Sequence, residues 1–304
     1  MKTNTIKIKR NKWDMGMLCV VGVIALVHCI LLLVPLIWVL IQSFNENYNY
    51  MLNPFSFPTP QKFADLFQNY QVAFKKLNIT TNSPTRGKVT YNVFNMTGYS
   101  FIIAFTLTFM RTLVAALLGY ATGKYKHLRF CRIIATVNIF LLIYTPVGSL
   151  PSSLQLHRAL GLYNNLIPFL LMGHYGEGMY QIMFAGAFGA LPNDYKEAAM
   201  MDGAGHHMVM WKIYFPMVFP LLASVFLLGF IANWNNYTLV VTMLPSYPNL
   251  AYGIYFFQLM ATNYGYSVPE TLAGFMIIAV PTAFLWMCSQ KLITSNLTIG
   301  GLKG

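Results

Sequence analysis

Six apolar runs, each about as long as a bilayer's hydrocarbon core is thick, set the limits on what this chain can fold into. They cover residues 17–44, 99–122, 132–150, 166–191, 215–244 and 271–294. A helix rising ~1.5 Å per residue crosses the core with roughly 20 apolar residues. Lipid offers no partner to a backbone N–H or C=O, so each run is expected to close its own hydrogen bonds as a helix. Only 9% of the 304 residues are charged, against 56% hydrophobic, and the mean hydropathy is +0.52. A soluble domain carries about 25% charge, so the expected fold is an all-α integral membrane protein with six transmembrane helices.

The formal charge of +12 does not form one patch. The positives gather at Lys2, Lys7, Lys9, Arg10 and Lys12, and again at Lys124, Lys126, Arg129 and Arg132. That distribution orients a membrane protein by its positive-inside bias, and no nucleic-acid partner is expected. The loops 123–132 and 192–214 fall on the cytoplasmic side. Loops 151–165 and 245–270 hold only Arg158 and fall outside, so both termini are expected in the cytoplasm. Segment 45–98 carries five Lys/Arg, but long translocated loops largely escape the bias. With Pro54, Pro58, Pro60 and Pro84 it reads as an extracytoplasmic lobe.

The expected organisation is therefore a cytoplasmic segment 1–16, a first helix 17–44 and the lobe 45–98. A transmembrane core 99–294, with loop 192–214 inside it, and a cytoplasmic tail 295–304 follow. The first run lacks a small-residue cleavage site and reads as a retained helix. Cys19, Cys29, Cys131 and Cys288 have no CxxC spacing and read as apolar filler.

Loop 192–214 is the most telling polar insert. Glu197, Ala198, Ala199, Asp202, Gly203, Ala204 and Gly205, followed by Ile213 and Pro216, describe a helix and a turn made of small residues. Small side chains permit close approach of a partner surface. Glu197 and Asp202 add anionic acceptors for a basic or amide partner. Gly203 and Gly205 are expected to supply the turn, and Pro216 to start the next helix rigidly. Further marks are Gly119-Tyr120-Ala121, the run Leu160 to Asn165, the pair Trp234-Asn235 and the tail Gly300 to Gly304.

Together these residues resemble the inner-membrane permease subunits of ABC importers, in particular the carbohydrate-uptake group of the maltose type. The resemblance extends from about Pro54 onward. Phe215 departs from it, standing where Leu is usual, as do His206 and His207, which replace polar or acidic residues. The resemblance implies that Glu197 to Gly205, with Pro216, couple to a separate ATPase. It further implies a second permease subunit, a dimer of ATP-binding subunits and an external solute-binding protein delivering a sugar or oligosaccharide. The location implied is the bacterial cell membrane. No Gly-x-x-x-x-Gly-Lys-Ser/Thr occurs, so this chain binds no cofactor itself; ATP and Mg would sit on the partner ATPase. No catalytic residues are expected. The alternative is a stand-alone channel or secondary carrier for a polar solute. Carriers show inverted repeats and intramembrane acids, and Glu177 is the one acid that invites that reading.

Three polar features remain. Asn233, Trp234, Asn235, Asn236 and Tyr237 are expected deep in the fifth run, where amides beside aromatic faces suit a sugar and equally suit interhelical hydrogen bonds. Arg111 lies mid-span, where a charge costs on the order of 2.5–3.5 kcal/mol. At ~1.5 Å per residue, Arg111 lies about 17 Å and Glu177 about 21 Å from the cytoplasmic ends of their helices. An Arg111–Glu177 pair is expected, with backbone carbonyls, the second permease or an acidic sugar as the other partners open to Arg111. Adjacent His206 and His207 point about 100° apart on a helix, so contact with solvent or an interface is expected and no metal site. His174 reads as a satisfied bundle residue.

Overall fold

The computed structural model describes residues 12–59, 65–83, 87–144, 148–172 and 178–297. The chain falls into two compact units. One takes residues up to Lys75 together with Ala261–Ile277, and the other takes Lys76–Met260 with the residues from Ile278 on.

In the first unit, α1 (Lys12–Gln42) is a long apolar helix whose side chains from Met17 to Leu36 are exposed within this chain. Its C-terminal end is held by polar contacts. Buried Asn45 donates to the side chains of Gln42 and Ser56, at 2.9 and 3.0 Å. After the short α2 (Asn47–Leu52) comes α3 (Gln68–Lys76). There Asn69 donates to the carbonyls of Ser43 and Asn45, and Tyr70 shares a 2.6 Å hydrogen bond with the Ser43 hydroxyl. Burial raises the pKa of Tyr70 more than the Ser43 bond lowers it, so the phenol keeps its proton at neutral pH.

The second unit opens with an antiparallel hairpin, β1 (Ile79–Ser83) and β2 (Gly87–Tyr91). This modifies the all-α expectation: the fold is mostly helical, with one two-stranded sheet among the described residues. The strands are β-branched and aromatic, which suits a pleated surface. Ile79 pairs with Tyr91, both buried, and the Thr80 and Thr90 hydroxyls meet at 3.0 Å.

The axis of this unit is α4 (Val93–Lys124), capped by Asn92, whose side chain accepts from the Asn95 amide. There follow α5 (Arg129–Ile143), α6 (Leu150–Ala159), α7 (Leu166–Met172), α8 (Gly178–Ala190), α9 (Asp194–Met201) and α10 (His206–Val209). The chain ends with α11 (Phe215–Trp234), α12 (Tyr237–Met243), α13 (Leu250–Tyr264) and α14 (Val268–Leu297). Two apolar clusters lie along α4, one near its middle and one toward its C-terminal end. Ile103 and Leu107 pack with Phe169, Leu170, Val240 and Leu244. Ala116 and Tyr120 pack with Phe184, Phe188, Val209, Tyr214 and Phe215.

Among the described residues, three helical stretches are long and apolar enough to cross a membrane: Gly16–Gln42, Val93–Lys124 and His206–Trp234. Several boundaries differ from the apolar runs. The run 215–244 is not one helix. It begins earlier, at His206, and breaks after Trp234, because Asn236 turns to cap α12 by accepting from the Leu239 amide. The run 132–150 gives a helix of 15 residues, α5. The run 166–191 gives α7 and α8, with residues 173–177 outside the described ones. Loops 151–165 and 245–270 are largely helical, as α6 and α13. Segment 45–98 contributes to both units, and its last residues belong to α4.

Candidate functional site

Small residues determine how closely the helices around loop 192–214 approach one another. Gly119 and Gly123 are four apart and so share a face of α4. A Cβ on Gly119 would collide with the Phe184 side chain, and one on Gly123 would lie 2.5 Å from the Ala185 carbonyl oxygen. The backbones of α4 and α8 touch there, as small-xxx-small spacing permits in membranes. This contact delivers the end of α8 beside the end of α4. Lys124, the last residue of α4, then donates to the Leu191 carbonyl and, at 3.2 Å, to the Asn193 side chain. Its ammonium lies 4.4 Å from the centroid of the Tyr214 ring. Tyr214, fully buried, donates to the Pro192 carbonyl at 3.2 Å and packs on Tyr120. Both ends of loop 192–214 are thus fastened to α4.

Between these anchors, α9 projects as a short helix with Asp194 and Glu197 in its first turn, where acids complement the helix dipole. It ends in a Schellman motif. The Ala204 N–H donates to the Ala199 carbonyl, the Gly203 N–H to the Met200 carbonyl, and Gly203 has φ +82°. Ala199 and Ala204 face inward against the Tyr120 cluster. Glu197, Ala198, Asp202, Gly203 and Gly205 are exposed. Gly205 does not make the turn, contrary to expectation. Its φ of −73° and ψ of 160° suit any residue, and a Cβ there would meet nothing within 4 Å.

Pro216 stands in the first turn of α11, as expected, although the helical path is already continuous from His206. It lies directly after a π-turn over Met210–Tyr214 in which the Phe215 N–H donates to the Met210 carbonyl. Proline lacks the N–H that the Lys212 carbonyl would accept, and the wider turn absorbs that loss. His206 and His207 are exposed on the first turn of this helix, with His207 beside the Trp211 ring.

The residues from Asn233 to Tyr237 straddle the break between α11 and α12. Asn233 is buried and donates to the Thr108 hydroxyl at 3.0 Å; Trp234 is buried and donates to Thr282 at 3.2 Å. Asn235 and Tyr237 are exposed, and the Tyr237 ring stacks on Tyr255 at 4.9 Å. Arg111 is half-buried on α4 and engaged with its surroundings. Glu177 and His174 lie outside the described residues, as do Gly300 to Gly304.

The sequence reading missed the anchoring roles of Lys124 and Tyr214 and the GxxxG spacing of Gly119 and Gly123, which was visible. It also left the run Leu160 to Asn165 without a structural role. Gly161 and Asn164 have positive φ, and the Asn164 side chain donates to the Ser246 hydroxyl and accepts from the Ser246 N–H, both at 2.9 Å.

Residues 115–294, which contain the GxxxG contact, the anchored loop and the helix break, match the family described as binding-protein-dependent transport system inner membrane component. The chain belongs to that family. As its inner-membrane component it is a multi-pass membrane protein of a transport system, as the resemblance implied. The permease is 26% identical to the sulfoquinovosyl glycerol transport system permease protein SmoH of Agrobacterium fabrum, over 90% of this chain and 89% of that one. It is 30% identical to the maltodextrin transport system permease protein MalD of Streptococcus pneumoniae, over 67% of this chain and 72% of that one. Its fold is similar to a solved bacterial ABC transporter involved in the import of the acidic polysaccharide alginate. That likeness has a TM-score of 0.71 at 21% identity and covers 94% of this permease and 99% of that chain.

Proposed function

We propose that this permease forms one half of the translocation pathway of an ATP-driven importer for a sugar or oligosaccharide. A second, related permease subunit completes the pathway, and an external solute-binding protein delivers the solute. A dimer of ATP-binding subunits, holding ATP and Mg, supplies the energy. The chain crosses the membrane six times with both termini in the cytoplasm, and takes no catalytic part in hydrolysis.

One observation carries this reading. The α9 element turns its acids and glycines outward while Lys124 and Tyr214 fasten its base to two long helices. An element exposed at its tip and rigid at its root transmits displacement into the bundle. Glu197 and Asp202 are the charged points of contact, and Ala198, Gly203 and Gly205 leave room for the partner's surface. Ala199, Ala204 and Pro216 hold the element's shape. The names of both relatives support a carbohydrate-type solute.

For the pathway, Asn235 and Tyr237 are the residues of the 233–237 stretch with open faces, and Tyr237 with Tyr255 offers stacked rings to sugar C–H groups. Asn233, Trp234 and Asn236 shape that wall through their own hydrogen bonds. Arg111 has two roles to be separated, an intramembrane pair with Glu177 and recognition of an acidic sugar. Arg111→Gln distinguishes them: lost assembly supports the pair, whereas intact assembly with lost uptake of an acidic solute supports recognition. Co-purification tests the whole reading. Recovery of an ATPase and a second permease is expected; a lone chain that transports solute in liposomes contradicts it.

A further inference from the structure

At the corner where α4 passes into α5, a cavity of about 500 Å³ is lined by Thr122, Lys126, His127, Cys131, Arg132 and Ala135. Its lining divides by chemistry. Thr122 and Cys131 are buried and, with half-buried Ala135, make a small, nearly apolar floor. Lys126, His127 and Arg132 are exposed at its rim and bring two permanent charges and an imidazole. Among the described residues, no acid lines this cavity. Glu197 lines the neighbouring one, with Lys124, Lys196 and His127.

The surroundings decide what kind of anion fits. Leu128, Phe130 and Ile133 are exposed by 48%, 72% and 60%, interleaved with the basic residues. Further along α5, Val137 and Phe140 continue the exposed apolar face. A ligand that covers both surfaces is anionic at one end and hydrocarbon at the other. A carboxylate on a soluble protein would answer the charges and leave Phe130 and Ile133 bare.

We propose that the α4–α5 corner is a binding site for the headgroup of an anionic phospholipid. The phosphate accepts from Lys126 and from Arg132, whose planar fork suits two oxygens of one phosphate. The acyl chains lie along Ile133, Val137 and Phe140. Basic pockets at the cytoplasmic boundary of membrane helices have the electrostatics for this role. Lys126 is two residues from Lys124, so an occupied site steadies the corner that grips loop 192–214.

The test uses the purified full-length chain in nanodiscs of phosphatidylcholine, alone or with phosphatidylglycerol. Retained lipid is read by native mass spectrometry and stability by thermal unfolding. Wild type is expected to retain phosphatidylglycerol preferentially and to unfold at higher temperature with it. Lys126→Gln with Arg132→Gln should lose roughly fivefold in retention for each charge removed, while unfolding in phosphatidylcholine stays unchanged. Ala135→Trp, which fills the cavity and keeps the charges, should also lose the lipid, and Lys126→Arg should keep it. Wild-type retention in both the charge-neutral double variant and Ala135→Trp overturns the proposal. So does equal stabilisation by inorganic phosphate, which assigns the site to a free anion. Unchanged lipid retention with lost capture of the ATPase subunit assigns the rim to a protein partner and also overturns it.

Discussion

The Lys124 ammonium lies 4.4 Å from the centroid of the Tyr214 ring, so the last residue of one long helix touches the root of the next across loop 192–214. Lys124 also donates to the Leu191 carbonyl, and Tyr214 to the Pro192 carbonyl. Four residues from three parts of the chain therefore fix where α9 emerges. Removing the ammonium leaves the Leu191 carbonyl without that donor. Lys124→Met should cost about 1.5–3 kcal/mol, the range for hydrogen bonds to charged groups. The expected phenotype is an assembled complex with less solute moved per ATP hydrolysed, read by parallel transport and hydrolysis assays in liposomes.

Gly119 and Gly123 make a second, sharper prediction, because a side chain there meets backbone. Gly123→Val should separate α4 from α8 and cost at least the ~1–3 kcal/mol typical of overpacking. Gly186, the neighbour of Ala185 on α8, has nothing within 4 Å of a built Cβ, and Gly186→Ala should be tolerated. Yield of folded protein in detergent, compared between the two variants, checks this. Equal yields would contradict the close approach.

The turn glycines should behave differently from each other. Gly203→Ala forces a side chain into the left-handed region and should cost about 1–2 kcal/mol. Gly205→Trp should leave the thermal unfolding of this chain unchanged, since Gly205 is extended and open. It should nonetheless abolish recovery of the ATPase subunit in a pull-down. Retained recovery would mean that no partner approaches Gly205 closely.

How much of this was legible follows from the range of each interaction. The exposed acids and small residues from Glu197 to Gly205 are contiguous, so their chemistry could be read directly. The long apolar helices followed from run length. What the sequence could not supply were pairings across the fold: Lys124 with Leu191, Asn164 with Ser246 and Asn233 with Thr108. None leaves a periodic trace. The helix that begins at His206 was hidden for a different reason. Pro216 is a start signal by itself, and only the π-turn before it lets the helix pass through.

The stretch after α11 separates stability from uptake. Thr108→Val should remove one interhelical bond to Asn233 and cost roughly 0.6 kcal/mol, a typical membrane value, without altering solute preference. Tyr237→Ala removes an exposed ring stacked on Tyr255 and should raise the KM for uptake severalfold with unfolding unchanged. Uptake kinetics beside thermal unfolding for the two variants test the assignment.

Glu197 carries the central claim, because it is exposed, charged and set on the element that α4 and α11 hold in place. The decisive measurement is solute accumulation and its ATP dependence for Glu197→Lys in the reconstituted transporter. The account predicts that uptake collapses while the helical bundle stays folded. Undiminished, ATP-dependent accumulation by an intact Glu197→Lys complex would contradict it.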